Sequence, residues 1–213
     1  PPGHLNAIFL TNSMELALTN WHDSVAAAHR QSAFIFWNHP GWDAQTTNGI
    51  VLWYPQHSKL LEEGMLHGIE VINSGDYYPE AHRWALEKKL TMLSNSDIHS
   101  PIQFEYSLQT GGHRPLTLIF ARERSPEAVR EALFNRQTVA FSGDRLVGEE
   151  RFLLPLFQRS LRWSKTKFTV TGKQTVALQI ANDTDIDYRL ERAGLTDKLG
   201  SPERVTLPAG KTV

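Results

Sequence analysis

Short apolar segments alternate with amphipathic stretches between residue 6 and about residue 140. Residues 33–37 are apolar at every position, as expected of a strand that is buried on both faces. Residues 79–89 have proline near the start and lysines in the last turn, which is typical of a helix. The same reasoning predicts further strands at 6–10, 68–72, 90–93, 115–120 and 138–141, and further helices at 21–30, 59–66 and from Ser125 onward.

This alternation of strands and helices predicts an α/β domain, in which parallel strands are joined by right-handed crossovers. The pattern changes after residue 144, where short segments alternate apolar and polar residues between turn-like breaks. Residues 174–180 have a period of two, with Val176, Leu178 and Ile180 on one face. We therefore predict an α/β domain at 1–145 and a small antiparallel β-sandwich-like module at 150–213. The short segments of that module are 151–157, 165–171, 174–182, 186–191 and 203–208.

Composition narrows the classes of function. The formal net charge is -1, which argues against a general nucleic-acid or membrane surface. There is no cysteine, so a metal ion would have to be held by histidines and carboxylates. No apolar run is long enough to span a membrane. The compartment and the oligomeric state stay open.

Polar side chains follow the predicted strands at the points where these end. His39 follows one strand, Asn73 the next, and Asp97 with His99 a third, while His4 precedes the first strand. In parallel α/β barrels the carboxyl ends of the strands form one rim, and the chemistry is placed there. Imidazole and carboxylate groups are the ligands of hydrolytic metal sites. The spacing therefore predicts a metal-dependent hydrolase.

Four motifs carry a resemblance to a known family. They are Gly-His-Leu-Asn at 3–6, Asn-His-Pro at 38–40, Gly-Ile-Glu-Val-Ile-Asn at 68–73 and Ser-Asp-Ile-His at 96–99. In this order they resemble the PHP (polymerase and histidinol phosphatase) family of metal-dependent hydrolases, over roughly residues 1–145. The resemblance implies a distorted (β/α)7 barrel with two or three divalent ions (zinc, manganese or iron) at its rim. It also implies that His4, His39, Asp97 and His99 are metal ligands.

The sequence departs from the family pattern at its start. The family has an early His-x-His pair and a bridging glutamate, and neither is present ahead of the Gly-His motif. We expect the barrel to be incomplete at its N-terminal end, so that about half of the ligands would lie upstream of Pro1. The C-terminal end, which stops at the start of a possible strand, is expected to be clipped as well.

The resemblance and the strand positions together suggest individual roles. Asp97 and His99 are the predicted catalytic residues, and Asp97 would supply negative charge and accept a proton. Arg114 and Asn73 are predicted to bind substrate, and so is His113, which is equally compatible with an ordinary loop position. Two further expectations concern structure: Glu70 would be a hydrogen-bonded structural carboxylate, and the histidines His57, His67 and His82 would be structural or surface residues.

Three functions remain open at this point. The first is hydrolysis of a small phosphorylated substrate by a phosphoesterase that uses metal-activated hydroxide. The second is exonuclease-like hydrolysis of phosphodiesters, although the near-neutral charge disfavours nucleic acid except as a short substrate. The third is a non-catalytic protein that recognises a glycan or a protein through the β-module. A membrane partner is not expected.

Overall fold

The computed structural model describes residues 2–46, 50–110, 112–192 and 202–213. Contacts divide the chain into one unit that ends at Phe152 and a second unit from Leu153 to Val213. The division falls within a helix, a few residues beyond the change of sequence pattern after residue 144.

The first unit contains a mixed sheet with parallel strands at its centre. β3 (Gly68–Asn73) pairs in parallel with both β2 (Phe34–Trp37) and β5 (Thr91–Asn95). β1 (Leu5–Ile8) is antiparallel to β2, and the short β4 (Asp76–Tyr77) folds back on β3. The predicted α/β class, with parallel strands and helices, is confirmed. The expectation that consecutive strands are parallel is wrong for β1, which is antiparallel to β2.

The apolar run at β2 packs on both faces of this sheet. Phe34 and Phe36 lie in one cluster with Leu133, while Ile35 and Trp37 belong to the larger cluster of the unit. Successive side chains of a strand point to opposite faces, so a strand covered on both sides has to be apolar at every position. The prediction of a doubly buried strand at 33–37 is confirmed.

The helices of the unit start at residues suited to that position. The side chain of Asn20 caps α1 (Trp21–Arg30) by accepting from the backbone N–H of His22, and Ser125 does the same for Ala128 at the start of α5 (Pro126–Phe134). The remaining helices are α2 (Pro55–Glu62), α3 (Pro79–Lys88) and the single turn α4 (Ile102–Glu105). The helix expected at 59–66 begins earlier because Pro55 occupies its first position. It ends before Gly64, whose φ is +69°.

A second sheet of the same unit is antiparallel throughout. It consists of β6 (Leu116–Ile119), β7 (Thr138–Ser142) and β8 (Arg145–Gly148). The expectation of parallel strands here is wrong. The order strand–helix–strand does not by itself determine whether the second strand runs parallel or antiparallel to the first, and β6 and β7 are antiparallel. The Thr138 hydroxyl donates to the Met92 carbonyl (2.8 Å), which joins this sheet to β5. Pairing among the described strands does not close the two sheets into a barrel, so the seven-stranded barrel stays a prediction.

The second unit differs from the predicted β-module. Residues 151–157 lie in α6 (Glu150–Ser160), and the expectation of a short β-type segment there is wrong. Phe152 and Leu156 are four residues apart, as are Leu153 and Phe157, which is the spacing of a helical face. Pro155 within the helix obscured this pattern.

The strands of the second unit are short. β9 (Leu161–Trp163) pairs with β10 (Ile180–Asn182), and β11 (Tyr188–Glu191) pairs with β12 (Arg204–Leu207), both antiparallel. The prediction of a strand at 174–180 is wrong except for Ile180. Val176 is exposed, and of the apolar face formed by Val176, Leu178 and Ile180 only Ile180 is buried. The described strands form two two-stranded sheets, so the sandwich stays a prediction.

None of the described helices combines the length and the apolar character that a membrane crossing requires.

His57 is a buried structural histidine in the first unit, as the sequence predicts. Its ring stacks on Trp37, with 3.7 Å between the ring centroids. Its Nδ1 accepts from the Tyr54 N–H (3.2 Å), so its Nε2 carries the proton and donates to the Pro2 carbonyl (2.6 Å). Burial lowers the pKa of His57 from 6.5 to about 4.

The pH dependence of stability tests this arrangement. Between pH 6.5 and 4 the unfolded chain protonates His57 while the folded chain does not. Stability should therefore fall as the pH falls, by at most about 1.4 kcal/mol per pH unit from this residue. His57→Phe should be less stable at pH 7 and should lose less stability between pH 7 and pH 5 in urea unfolding. His29→Phe, at an exposed position, is the control, and an unchanged pH dependence in His57→Phe would contradict the assignment.

Candidate metal centre

Strand pairing brings the predicted site residues to one edge of the central sheet. Leu5 of β1 is paired with Trp37 of β2, so His4 lies beside the residues that follow β2. The strands β2, β3 and β5 are parallel, and their carboxyl ends share that edge. Because β1 is antiparallel to β2, its amino end lies at this edge. His4, which precedes β1, therefore lies near His39, which follows β2.

His4, His39 and Asp97 lie together at this edge. His4 Nδ1 is 3.2 Å from His39 Nε2, and His39 Nε2 is 4.0 Å from Asp97 Oδ2. The His39 side chain is 8% exposed and that of Asp97 is 43% exposed, so the group opens to solvent on the aspartate side. The two imidazoles meet edge to face, and the Trp42 ring packs against both.

Two of these three residues have a strained backbone. The φ of His39 is +29° and that of Asp97 is +53°, in a region that residues with a Cβ rarely adopt. The loop of Asp97 is held by Ser74, whose N–H donates to the Asn95 carbonyl (3.0 Å) and whose hydroxyl donates to the Ser96 carbonyl (2.7 Å). Such strain persists only where the surroundings fix the conformation, and it is concentrated at functional sites.

The Glu70 carboxylate fixes the conformation of His39. Its Oε2 accepts from the His39 N–H (2.5 Å) and from the Asn73 side chain (2.9 Å), and its Oε1 accepts from the Asn95 side chain (2.6 Å). The expectation of a hydrogen-bonded structural carboxylate is confirmed. Burial raises the pKa of Glu70, an effect that these three hydrogen bonds oppose and the nearby Asp97 charge reinforces.

Gln45 determines which nitrogen of His39 carries the proton. The Trp37 indole N–H can only donate, so it binds Gln45 Oε1 (3.1 Å) and turns the Gln45 amide nitrogen toward His39 Nδ1 (2.9 Å). Nδ1 is therefore an acceptor, and Nε2 carries the proton and donates to His4 Nδ1. The glutamine and the indole select this tautomer of His39.

The glycine of the Gly-His motif leaves room for this arrangement. Gly3 has a φ of +92°, and a Cβ at this position would lie 2.2 Å from Gln45 Oε1 and 2.9 Å from the Trp37 indole nitrogen. A larger residue would displace the glutamine from His39. The glycine is thus required both by its backbone conformation and by the close approach of Gln45.

A small acidic cleft of about 260 Å³ lies beside His39. Its lining includes the aspartates Asp43, Asp76 and Asp97, and no lysine or arginine belongs to it. Tyr78 also lines the cleft; burial raises the pKa of its hydroxyl, and the negative charges of Asp76, Glu70 and Asp97 raise it further. The electrostatic surroundings therefore favour a cation here.

The other predicted site residues are distributed over neighbouring positions. His99 is exposed, two residues beyond Asp97, and makes no hydrogen bond or ion pair with the described residues. Arg114 lines a larger cleft of about 550 Å³ together with Glu70, Asn95 and Asp97. Asn73 is buried and lines the acidic cleft.

His113 and Asn38 complete the set of polar residues near the strand ends. His113 stacks on Phe141 and lies against the Arg114 carbonyl, outside the lining of the clefts described above. Asn38 lines the larger cleft, and its buried Oδ1 has no hydrogen-bond partner among the described residues. A buried acceptor without a donor is costly, so this oxygen is a place where a ligand or water would gain a hydrogen bond.

The donor atoms at this edge, imidazole nitrogens and a carboxylate oxygen, are of the chemical types that bind divalent ions. Two nitrogens bound to one tetrahedral zinc ion at about 2.0–2.1 Å lie about 3.3 Å apart, and His4 Nδ1 and His39 Nε2 are 3.2 Å apart. The Asp97 oxygen is more distant, and no three histidine, aspartate or glutamate side chains of the described ranges converge tightly enough to hold an ion. An ion between the imidazoles would also replace the proton on His39 Nε2.

Comparison with known proteins gives one informative similarity. No family model matches the sequence, and neither does any curated protein. The chain is similar to a two-domain protein from Bacteroides vulgatus, whose crystal structure is described as containing a predicted PHP-like metal-dependent phosphoesterase. The two are 42% identical over 100% of this chain, with a TM-score of 0.93. The chain spans 61% of the length of that protein. The two proteins share the fold.

Removal of one donor tests the role of Glu70 as the centre of a hydrogen-bond network. Asn95→Ala leaves the buried carboxylate with two donors and should lower the free energy of unfolding at pH 7 by about 1.5–3 kcal/mol. The same change in a Glu70→Gln background should cost less, because the charge that Asn95 stabilises is gone. Urea unfolding of the four proteins gives the coupling energy, and a coupling below about 0.5 kcal/mol would show that the two residues act independently.

Nitrogen NMR of the imidazoles tests the tautomer of His39. In protein free of divalent ions, His39 Nδ1 should have the resonance of an unprotonated nitrogen and Nε2 that of a protonated one. Gln45→Leu removes the donor to Nδ1 and should allow the other tautomer to appear. His57, which the structure gives the same tautomer, is the internal reference in both proteins. Protonated Nδ1 in the wild type would contradict the orientation of Gln45.

Proposed function

We propose that this chain belongs to a metal-dependent phosphoesterase that hydrolyses a small phosphorylated substrate. The observation that carries the proposal is the approach of His4 Nδ1 to His39 Nε2 (3.2 Å), with the Asp97 carboxylate 4.0 Å from His39. Similarity in sequence and fold to a protein that contains a predicted PHP-like metal-dependent phosphoesterase supports it. Fold similarity alone would not assign an activity, so the proposal depends on the side chains at the strand ends.

His4, His39 and Asp97 are the residues that would hold the ions. Neutral imidazole nitrogens and a carboxylate suit zinc, manganese or iron, and two or three such ions are proposed. The chemistry that these ions supply in hydrolases is a lowered pKa of coordinated water together with polarisation of a phosphoryl oxygen. His99 is proposed as a further ligand, which would require its exposed loop to move toward Asp97.

The chain itself would orient the reacting groups. Glu70 holds the His39 backbone, and Gln45 orients the His39 ring, so the imidazole enters the reaction in a fixed position. Asp97, which is partly exposed and lies beside His39, is proposed to accept a proton. The Arg114 guanidinium, in the larger cleft with Asp97, is proposed to bind the phosphate. Asn73 supports the site through Glu70, and His113 is proposed to contact substrate only at the margin.

A small substrate is favoured over a polynucleotide. Among the described residues that line the clefts beside His4, His39 and Asp97, Arg114 is the one lysine or arginine. A polynucleotide needs several cations along its backbone, and its binding weakens steeply with salt. The exonuclease-like alternative would therefore be recognised by a strong salt dependence of substrate affinity. A non-catalytic binding protein would be recognised by the absence of bound transition metal in the full-length protein.

Phosphate release tests the proposal directly. The full-length protein, loaded in turn with zinc, manganese and iron, should release phosphate from a simple aryl phosphate. Asp97→Ala and His99→Ala should each lower kcat/KM by more than the roughly 10- to 100-fold typical of residues that only support a metal ligand. His29→Ala, at an exposed position of α1, is the matched control and should retain activity. Activity that survives both site changes would refute the assignment.

A further inference from the structure

A cleft of about 470 Å³, which we call the aromatic cleft, is lined by His4. Its walls include the aromatic residues Trp21, Trp42 and Tyr54, and its polar side chains include those of Gln45 and Thr46. None of its lining residues is an aspartate, glutamate, lysine or arginine. The volume is in the range of small-molecule sites, which are about 300–1,000 Å³.

The two tryptophans of this cleft are unusually exposed for their size. Trp21 is 39% and Trp42 is 47% exposed. Trp has a large apolar surface and is highly buried on average. Two exposed indoles at one concave site therefore indicate a surface that a flat apolar group would cover.

Trp42 connects this cleft to the candidate metal centre. Its ring lies 5.3 Å from the His4 ring and 5.2 Å from the His39 ring, between ring centroids. It lines both the aromatic cleft and the acidic cleft that contains Asp97. A molecule bound on the aromatic side would thus be adjacent to the group at which phosphate would react.

We propose that the aromatic cleft binds a planar aromatic part of the substrate, such as a nucleobase or an aryl group, by stacking on Trp21 and Trp42. This rests on the proposed phosphoesterase function for the position of the phosphate near His4, His39 and Asp97. The described lining contains no lysine or arginine that would bind the phosphate, whereas Gln45 and Thr46 offer polar groups to the edges of a ring. Stacking of one base on an aromatic side chain contributes about 5- to 150-fold in affinity.

Calorimetry on the full-length protein without divalent ions tests the cleft independently of any hydrolysis. The probes are adenosine, 1-naphthol and, as the non-planar comparison, cyclohexanol. At least one planar probe should bind, and cyclohexanol should bind more weakly. Trp21→Leu should weaken binding of the planar probe about 5- to 150-fold, and Trp21→Phe should weaken it by less. Trp163→Leu, which removes a similarly exposed indole of the second unit, should leave the binding unchanged. Binding of adenosine but not 1-naphthol would identify a nucleobase site, and the reverse an aryl site.

Two results would overturn the inference. One is equal affinity for cyclohexanol and the planar probes, and the other is unchanged affinity in Trp21→Leu that is folded by circular dichroism. In kinetic assays the ratio of kcat/KM for 1-naphthyl phosphate to that for propyl phosphate should fall in Trp21→Leu by the same factor as the binding. Wild-type protein that binds a planar probe but releases no phosphate would refute the proposed function without affecting the calorimetric result.

Discussion

The candidate site depends on one buried carboxylate, that of Glu70. It receives a hydrogen bond from the residue that follows β2, another from the end of β3 and a third from the end of β5. These strands are adjacent and parallel, so a single side chain in the middle strand reaches all three ends. The backbone of His39 adopts a positive φ against its intrinsic preference, and the short bond to Glu70 compensates part of that cost. The position of the imidazole is thus a consequence of the sheet, transmitted through one glutamate.

The parts of the fold that the sequence predicts correctly are those where local pattern and burial agree. The apolar run of β2, the helix α1 and the start of α5 at Ser125 are of this kind. Strand direction is not a local property, and β1 and the sheet β6–β8 are antiparallel without any change in their pattern. The helix α6 was missed because its proline hides an i, i+4 apolar spacing. The alternation at 174–180 predicted a strand. Most of these side chains are exposed, and a strand begins only at Ile180.

At the site, sequence order was enough to place His39 and Asp97 at one edge, because the carboxyl ends of parallel strands meet there. His4 reaches the same edge only because β1 is antiparallel, a direction that its sequence pattern did not predict. The role of His99 as a ligand stays a prediction. Gln45 was also beyond reach, because it lies in a segment without periodicity and only the fold brings it to His39. The cleft with Trp21 likewise depends on a tertiary contact, since the start of α1 and His4 line the same cavity. The requirement for glycine at residue 3 had the same origin, namely a contact with Gln45 over a long sequence separation.

The charges around His39 give the strongest physical argument for a cation. Glu70 is almost fully buried and its pKa is raised, so its ionised form is costly in the protein alone. Asp43, Asp76 and Asp97 add negative potential in a cleft whose lining has no lysine or arginine. Ionising a buried carboxylate such as that of Glu70 is costly, and the nearby charge of Asp97 adds to the cost. A divalent ion held by His4, His39 and Asp97 would offset part of that cost, so the negative potential would raise the affinity of the site for metal.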